Sequence, residues 1–145
     1  MFTVRRMTEQ DCPVVAELEK RIFSQPWSEQ GFCDAIAMAE NIFLVAEDAG
    51  EICGYIGMYQ SLDEGEITNV AVAPEKRNAG IGWQLMQTAL SEARQQGITQ
   101  IVLEVRVSNA SAIHLYEKCG FINCGVRKGF YDFPKEDAYI MIYNI

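Results

Sequence analysis

Arg77-Asn78-Ala79-Gly80-Ile81-Gly82 lies where a β-branched run, Ile67 to Val72, gives way to a long amphipathic helix beginning near Gly80. That position suits a phosphate cradle. Two glycines let the chain turn tightly and bring backbone N–H groups close to an anion, and the emerging helix aims the positive end of its dipole at the same point. Arg77 adds a permanent charge with a forked donor array matched to phosphate oxygens. The spacing is not a Walker loop, which ends in Gly-Lys-Ser/Thr, nor a dinucleotide fingerprint, which needs Gly-x-Gly-x-x-Gly. An ordinary strand-to-helix turn also carries Gly-x-Gly, so the flanking chain has to decide.

On the N-terminal side, Phe2 to Arg6 alternates as a short strand, and Glu9 to Phe23 sets Val14, Val15, Leu18 and Ile22 at helical spacing. Ser28 is placed to cap a second helix running to about Ala39. Strands are expected over Ile42 to Glu47, Ile52 to Gln60 and Glu66 to Val72, the first two joined by the turn Asp48-Ala49-Gly50-Glu51. The helix after the glycine loop presents Ile81, Leu85, Met86, Ala89, Leu90 and Ala93 on one face and stops near Gly97. Thr99 to Val107 returns as a strand, Ser108 caps a helix to about Lys118, and Gly120 ends it before strands over Phe121 to Val126 and Tyr139 to Tyr143. Strand, helix, strand, helix, strand in the second half implies a parallel step. The fold class expected is α/β (α+β): a mixed, mostly antiparallel central sheet flanked by helices.

The chain has 145 residues, enough for one domain with a core that needs no covalent staples. Hydrophobic residues at 49% and charged residues at 22% exclude disordered and fibrous classes. No apolar run approaches a signal core or a membrane span, so a cytoplasmic protein without a membrane partner is expected. The net charge of -8 argues against direct nucleic-acid binding, which needs a basic face, and favours a cationic partner. Five cysteines (Cys12, Cys33, Cys53, Cys119 and Cys124) form no Cys-x-x-Cys pair and His114 is the single histidine, so no metal is expected and the thiols read as small buried hydrophobes.

Two segments carry candidate chemistry. On the Thr99 to Val107 strand, Glu104 and Arg106 point to one face and Leu103 and Val105 to the other. A carboxylate in such a strand is either paired with Arg106 or serves as a general base. On the next helix Asn109 and Tyr116 share a face about 10 Å apart along the axis, room for an extended ligand arm. Tyr116 is either a core aromatic with its hydroxyl at the rim or a weak acid that stays protonated at neutral pH.

The Arg77 to Gly82 loop, following Asn69-Val70-Ala71-Val72-Ala73-Pro74, resembles the signature Arg/Gln-x-x-Gly-x-Gly/Ala of the GNAT superfamily of acyl-CoA-dependent N-acetyltransferases. Leu103-Glu104-Val105-Arg106, Ser108-Asn109-Ala110 and Leu115-Tyr116-Glu117-Lys118-Cys119-Gly120-Phe121 resemble its RimI-like branch, the ribosomal-protein-alanine N-acetyltransferases. Phe23 with Pro26-Trp27-Ser28, and Tyr131 with Pro134, Glu136-Asp137-Ala138 and Met141, resemble that branch's acceptor loop and C-terminal hairpin. The resemblance implies acetyl-CoA as cosubstrate. It makes Glu104 the base and Tyr116 the acid, and it assigns the pyrophosphate to Arg77, Asn78, Ala79, Gly80, Ile81 and Gly82. Asn109 becomes a contact for the pantetheine arm, the backbone of Val70, Ala71 and Val72 holds that arm and the acyl carbonyl, and Trp27 and Tyr131 shape the acceptor pocket. The expected acceptor is a protein N-terminus, an alanine of a small-subunit ribosomal protein, and the expected assembly a monomer or weak dimer. Ser24-Gln25 and Lys128-Gly129-Phe130 depart from the branch's usual pattern, and both bear on acceptor choice.

The implied reaction is direct transfer. An α-amine, with a pKa near 8, is easier to uncharge at pH 7 than a lysine near 10.4 by roughly 3 kcal/mol, which suits a modest base. The alternatives are a lysine or small-amine acceptor and a non-catalytic CoA-binding module. A generic nucleotide-binding domain would prefer ATP or NAD.

Overall fold

The computed structural model describes residues 1–145. One seven-stranded sheet runs in the order β1-β2-β3-β4-β5-β7-β6, with β1 Phe2–Arg6, β2 Ile42–Asp48, β3 Glu51–Ser61, β4 Glu64–Val72, β5 Gln100–Arg106, β6 Ile122–Tyr131 and β7 Glu136–Asn144. Every pairing is antiparallel except β4 with β5. Helices α1 Cys12–Ile22 and α2 Glu29–Ile36 cover one face, and α3 Ile81–Gln95 and α4 Ala110–Cys119 the other.

The burial pattern explains the layers. In β2 every residue from Ile42 to Ala46 is buried, with Ile42, Leu44 and Ala46 packing into the α3 core and Phe43 and Val45 into the α1–α2 core. In β5 only Ile101, Leu103 and Val105 are buried, all against α3 and α4. The alternate residues, Glu104 and Arg106 among them, therefore face a side of the sheet that α1 and α2 do not fully cover. The six apolar residues assigned to the inner face of α3 are all buried, and Leu85, Met86 and Leu90 each contribute about 1.5–3 kcal/mol by leaving water.

Where β4 meets β5 the sheet opens. Their parallel ladder pairs only Glu64 with Gln100 through Ile67 with Leu103. At that point Gly57 of β3 faces Asn69 while Met58 faces Ile67, so Thr68 is the extra residue of a bulge. The bulge bends β4 away, and residues 68–72 have no partner in β5.

Several local expectations are corrected. The first helix begins at Cys12 after a 3-10 turn over Glu9–Asp11, and Val14 is exposed because it lies on the outer side. Ser28 does cap α2, accepting from the Gly31 N–H, but the helix ends at Ile36. Helix α4 is capped by Asn109 rather than Ser108, since Asn109 Oδ1 accepts from the Ala112 N–H. The last two strands are longer than their apolar stretches suggested, because backbone pairing carries them into the polar hairpin. Cys12 and Cys53 are buried as expected, whereas Cys124 is exposed on β6. No helix is long and apolar enough to cross a membrane.

Candidate active site

The opening between β4 and β5 leads into a cleft of about 390 Å³, walled by α1, the loop joining it to α2, residues 67–70 of β4, residues 103–106 of β5, Asn109, Tyr116 and the β6–β7 hairpin. It gathers Trp27, Val70, Glu104, Asn109, Tyr116 and Tyr131 from five separate stretches of chain. Two contacts close its rim. The Ser24 hydroxyl donates to the Phe133 carbonyl, tying the α1–α2 loop to the hairpin. Arg106 donates to the Pro134 carbonyl at 2.8 Å and to Glu136 at 3.2 Å, and its guanidinium lies 4.3 Å from the Tyr131 ring centre.

Glu104 is not paired with Arg106, because Arg106 is engaged by the hairpin. Its nearest cation is Arg127 on β6, at 3.8 Å, beyond hydrogen-bonding distance, and its side chain is 13% exposed. Burial, reinforced by the negative charge of Glu66 and partly opposed by Arg127, lifts its carboxyl above the usual carboxylate range. The shift makes this carboxylate a stronger base than an ordinary glutamate. Tyr116 is buried, and its hydroxyl makes no hydrogen bond to protein. No buried side-chain oxygen or nitrogen is left unpaired, so that hydroxyl opens onto the cleft. Burial first, then Tyr131 and Cys119, push its pKa upward, which keeps the phenol protonated and able to donate.

The glycine loop lies outside this cleft, at the far end of β4, where the bulge has directed the strand. Asn78 has φ 64° and Gly80 has φ 83°, the second as N-cap of α3. Gly80 brings no side chain to the cap, so the first N–H groups of α3 remain open to an external acceptor. Gly82 is needed for a different reason. A Cβ there would meet the Leu115 side chain at 3.1 Å, so glycine is what lets α3 approach α4. Arg77 has no carboxylate partner; its Nε donates to the Val72 carbonyl at 3.2 Å, leaving the rest of the fork free. This donor set, neutral N–H groups plus one unneutralised guanidinium, fits a pyrophosphate. Ile81 contributes only its backbone, because its side chain is 3% exposed in the core. Asn109 uses its oxygen on the α4 cap, so only its amide nitrogen is free towards the cleft.

Sequence reasoning passed over Glu19 and Asn69. Glu19 Oε2 accepts from the Trp27 N–H at 3.0 Å and the Asn69 amide at 3.2 Å, and Glu19 Oε1 accepts from the Tyr55 hydroxyl. The Thr68 hydroxyl donates to Asn69 Oδ1 at 2.5 Å. Burial raises the Glu19 pKa, while the donors at Trp27 and Asn69 oppose the rise. A signal was present: Val15, Glu19 and Ile22 fall at i, i+4 and i+7, which places a carboxylate on the inward face of α1.

A family model described as the acetyltransferase (GNAT) family matches residues 12–121. The chain is 32% identical over 147 residues to the ribosomal protein bS18-alanine N-acetyltransferase of Escherichia coli, covering all of this chain and 99% of that one. It is 32% identical to the N-alpha-acetyltransferase RimI of Mycobacterium tuberculosis, covering 96% of this chain and 90% of that one. The crystal structure of the ribosomal-protein-S18-alanine N-acetyltransferase from Escherichia coli superimposes with a TM-score of 0.91 at 31% identity, covering 100% of this chain and 94% of that one.

Proposed function

The chain belongs to the acetyltransferase (GNAT) family, and from that premise we propose that it acetylates the α-amine of an N-terminal alanine on a ribosomal protein equivalent to bS18. The observation that carries this reading is that Glu104, which makes no hydrogen bond to a cation, and an unbonded Tyr116 hydroxyl share one cleft beside the opened β4. Acetyl-CoA supplies the acyl thioester. Arg77 and the backbone of residues 78–82 hold the pyrophosphate, and the Asn109 amide nitrogen donates to the pantetheine arm.

Glu104 takes a proton from the acceptor ammonium, directly or through one water, and so delivers a neutral amine. The N–H groups of Val70 and Val72, on the part of β4 that β5 does not pair, stabilise charge on the carbonyl oxygen as the amine attacks. The Tyr116 hydroxyl donates to the leaving sulfur. Trp27 on the α1–α2 loop and Tyr131 on the hairpin both line the cleft, and the rim contact between that loop and the hairpin favours a small first residue.

Peptides beginning with Ala, Ser or Met, each with a free or blocked α-amine, test the reading. Turnover confined to free amines and fastest on Ala is expected. Acetylation that survives blocking would move the acceptor to lysine, and coenzyme A binding without turnover would leave a sensor.

A further inference from the structure

Glu19 is the one fully buried carboxylate beside the cleft that the chemistry above does not use. It is 2% exposed and has no cationic partner. If α1 needed only packing at this position, an apolar side chain would serve, as Val15 does one turn earlier and Leu18 at the preceding position. A lone carboxylate inside a protein is unfavourable unless its hydrogen bonds are made, and here three neutral donors make them. Those donors come from three different places: the Trp27 N–H from the α1–α2 loop, the Asn69 amide from the β4 bulge and the Tyr55 hydroxyl from β3. Both Trp27 and Asn69 line the cleft, on the acceptor loop and on the bent strand respectively.

We propose that Glu19 is a positioning residue for the acceptor amine: from inside α1 it ties the loop at Trp27 to the β4 bulge at Asn69 and thereby fixes the width of the acceptor half of the cleft. The pyrophosphate loop is not in this network, because residues 77–82 share no hydrogen bond with it. The inference rests on the proposed use of the cleft by an acceptor amine, but not on which amine.

Gln at position 19 preserves the geometry without the charge. Its oxygen can receive Trp27 and Asn69 as Oε2 does, and its NH2 can donate to the Tyr55 oxygen. Ala removes all three bonds and leaves three buried donors unmet. The test is steady-state kinetics of Glu19→Ala and Glu19→Gln on Ala- and Met-initiated peptides, well below each variant's Tm. Loss of hydrogen bonds to a charged group predicts that Glu19→Ala raises the acceptor KM about tenfold or more while the acetyl-CoA KM stays within about twofold, and that the preference for Ala over Met narrows. Glu19→Gln stays within about threefold of wild type on every parameter, since only the charge is lost.

An unchanged acceptor KM in Glu19→Ala, or a parallel rise in both KM values, overturns the proposal. So does a Glu19→Gln variant as impaired as Glu19→Ala, which would make the charge itself the essential property. Should Glu19→Ala not fold, Asn69→Ala cuts one of the three ties and must show the same one-sided rise at smaller size; a normal acceptor KM there overturns the proposal. If the wild-type enzyme acetylates only blocked peptides on lysine, the N-terminal reading falls, and the same variants are then compared on that lysine peptide.

Discussion

Glu104 concentrates the most testable chemistry in one side chain. As a base it must be unprotonated, and its folded pKa is raised, so activity is expected to climb with pH through a limb centred above the ordinary glutamate value near 4.3. Arg127 lowers that pKa, so Arg127→Ala moves the limb further to the alkaline side, as a pH profile of kcat would report. Glu104→Gln abolishes the limb and lowers kcat by about 10²–10⁴-fold, and Tyr116→Phe lowers kcat by about 10²-fold with the acetyl-CoA KM little changed. Stability moves oppositely. A carboxyl with a raised folded pKa stabilises below its unfolded pKa and loses that contribution as pH rises through the folded one, so Glu104→Gln should melt higher than wild type above that folded pKa and converge with it in acid. At this scale the sequence disclosed residue types and strand parity: Glu104 could be set on an open face by counting in twos. It could not disclose that Arg106 belongs to Glu136, 30 positions away, because that pairing depends on a hairpin folding back.

Between residue and molecule, Asn109 serves an element as well as a ligand. Asn109→Ala removes the cap of α4 and should cost about 1 kcal/mol in urea denaturation. Asn109→Asp keeps an accepting oxygen but loses the amide donor, so it should retain stability and raise the acetyl-CoA KM; a normal KM would confine Asn109 to capping. The aromatic layer behind the acceptor loop is tighter. Trp27 packs against Phe32, Phe43 and Tyr59, and a Cβ on Gly57 would lie 2.4 Å from the Phe43 ring. Gly57→Ala therefore forces that ring to move, destabilises by about 1–3 kcal/mol and weakens acceptor binding through Trp27, both measurable on one purified variant. Element types were legible because helical and strand periods differ over the stretches from Glu9 to Val107. Their ends were not, since Ala39, Ser108 and Val126 stop or continue according to caps and backbone pairing that distant strands provide.

Across the whole molecule the charge of -8 sets the long-range field. For an acceptor peptide rich in Lys and Arg, kcat/KM should fall as salt is raised from about 0.05 to 0.5 M, and for a neutral peptide of equal length it should not, because only the former is steered. The antiparallel run and a parallel step were legible from the strand and helix sequence, but the seating of β7 between β5 and β6 was not. Also hidden was the bulge at Thr68, which no local pattern announces because it exists only as a mismatch between Gly57–Met58 and Ile67–Asn69. That mismatch has a mechanical consequence. The ladder between the sheet's first four strands and its last three has four residue pairs, while β3 and β4 share one running from Gly54 to Ser61. The gap that admits a thioester is thus also a fault line. A pulling force or a slow amide-exchange opening should part the molecule there first, with α3 as the strap that keeps its two pieces from drifting apart.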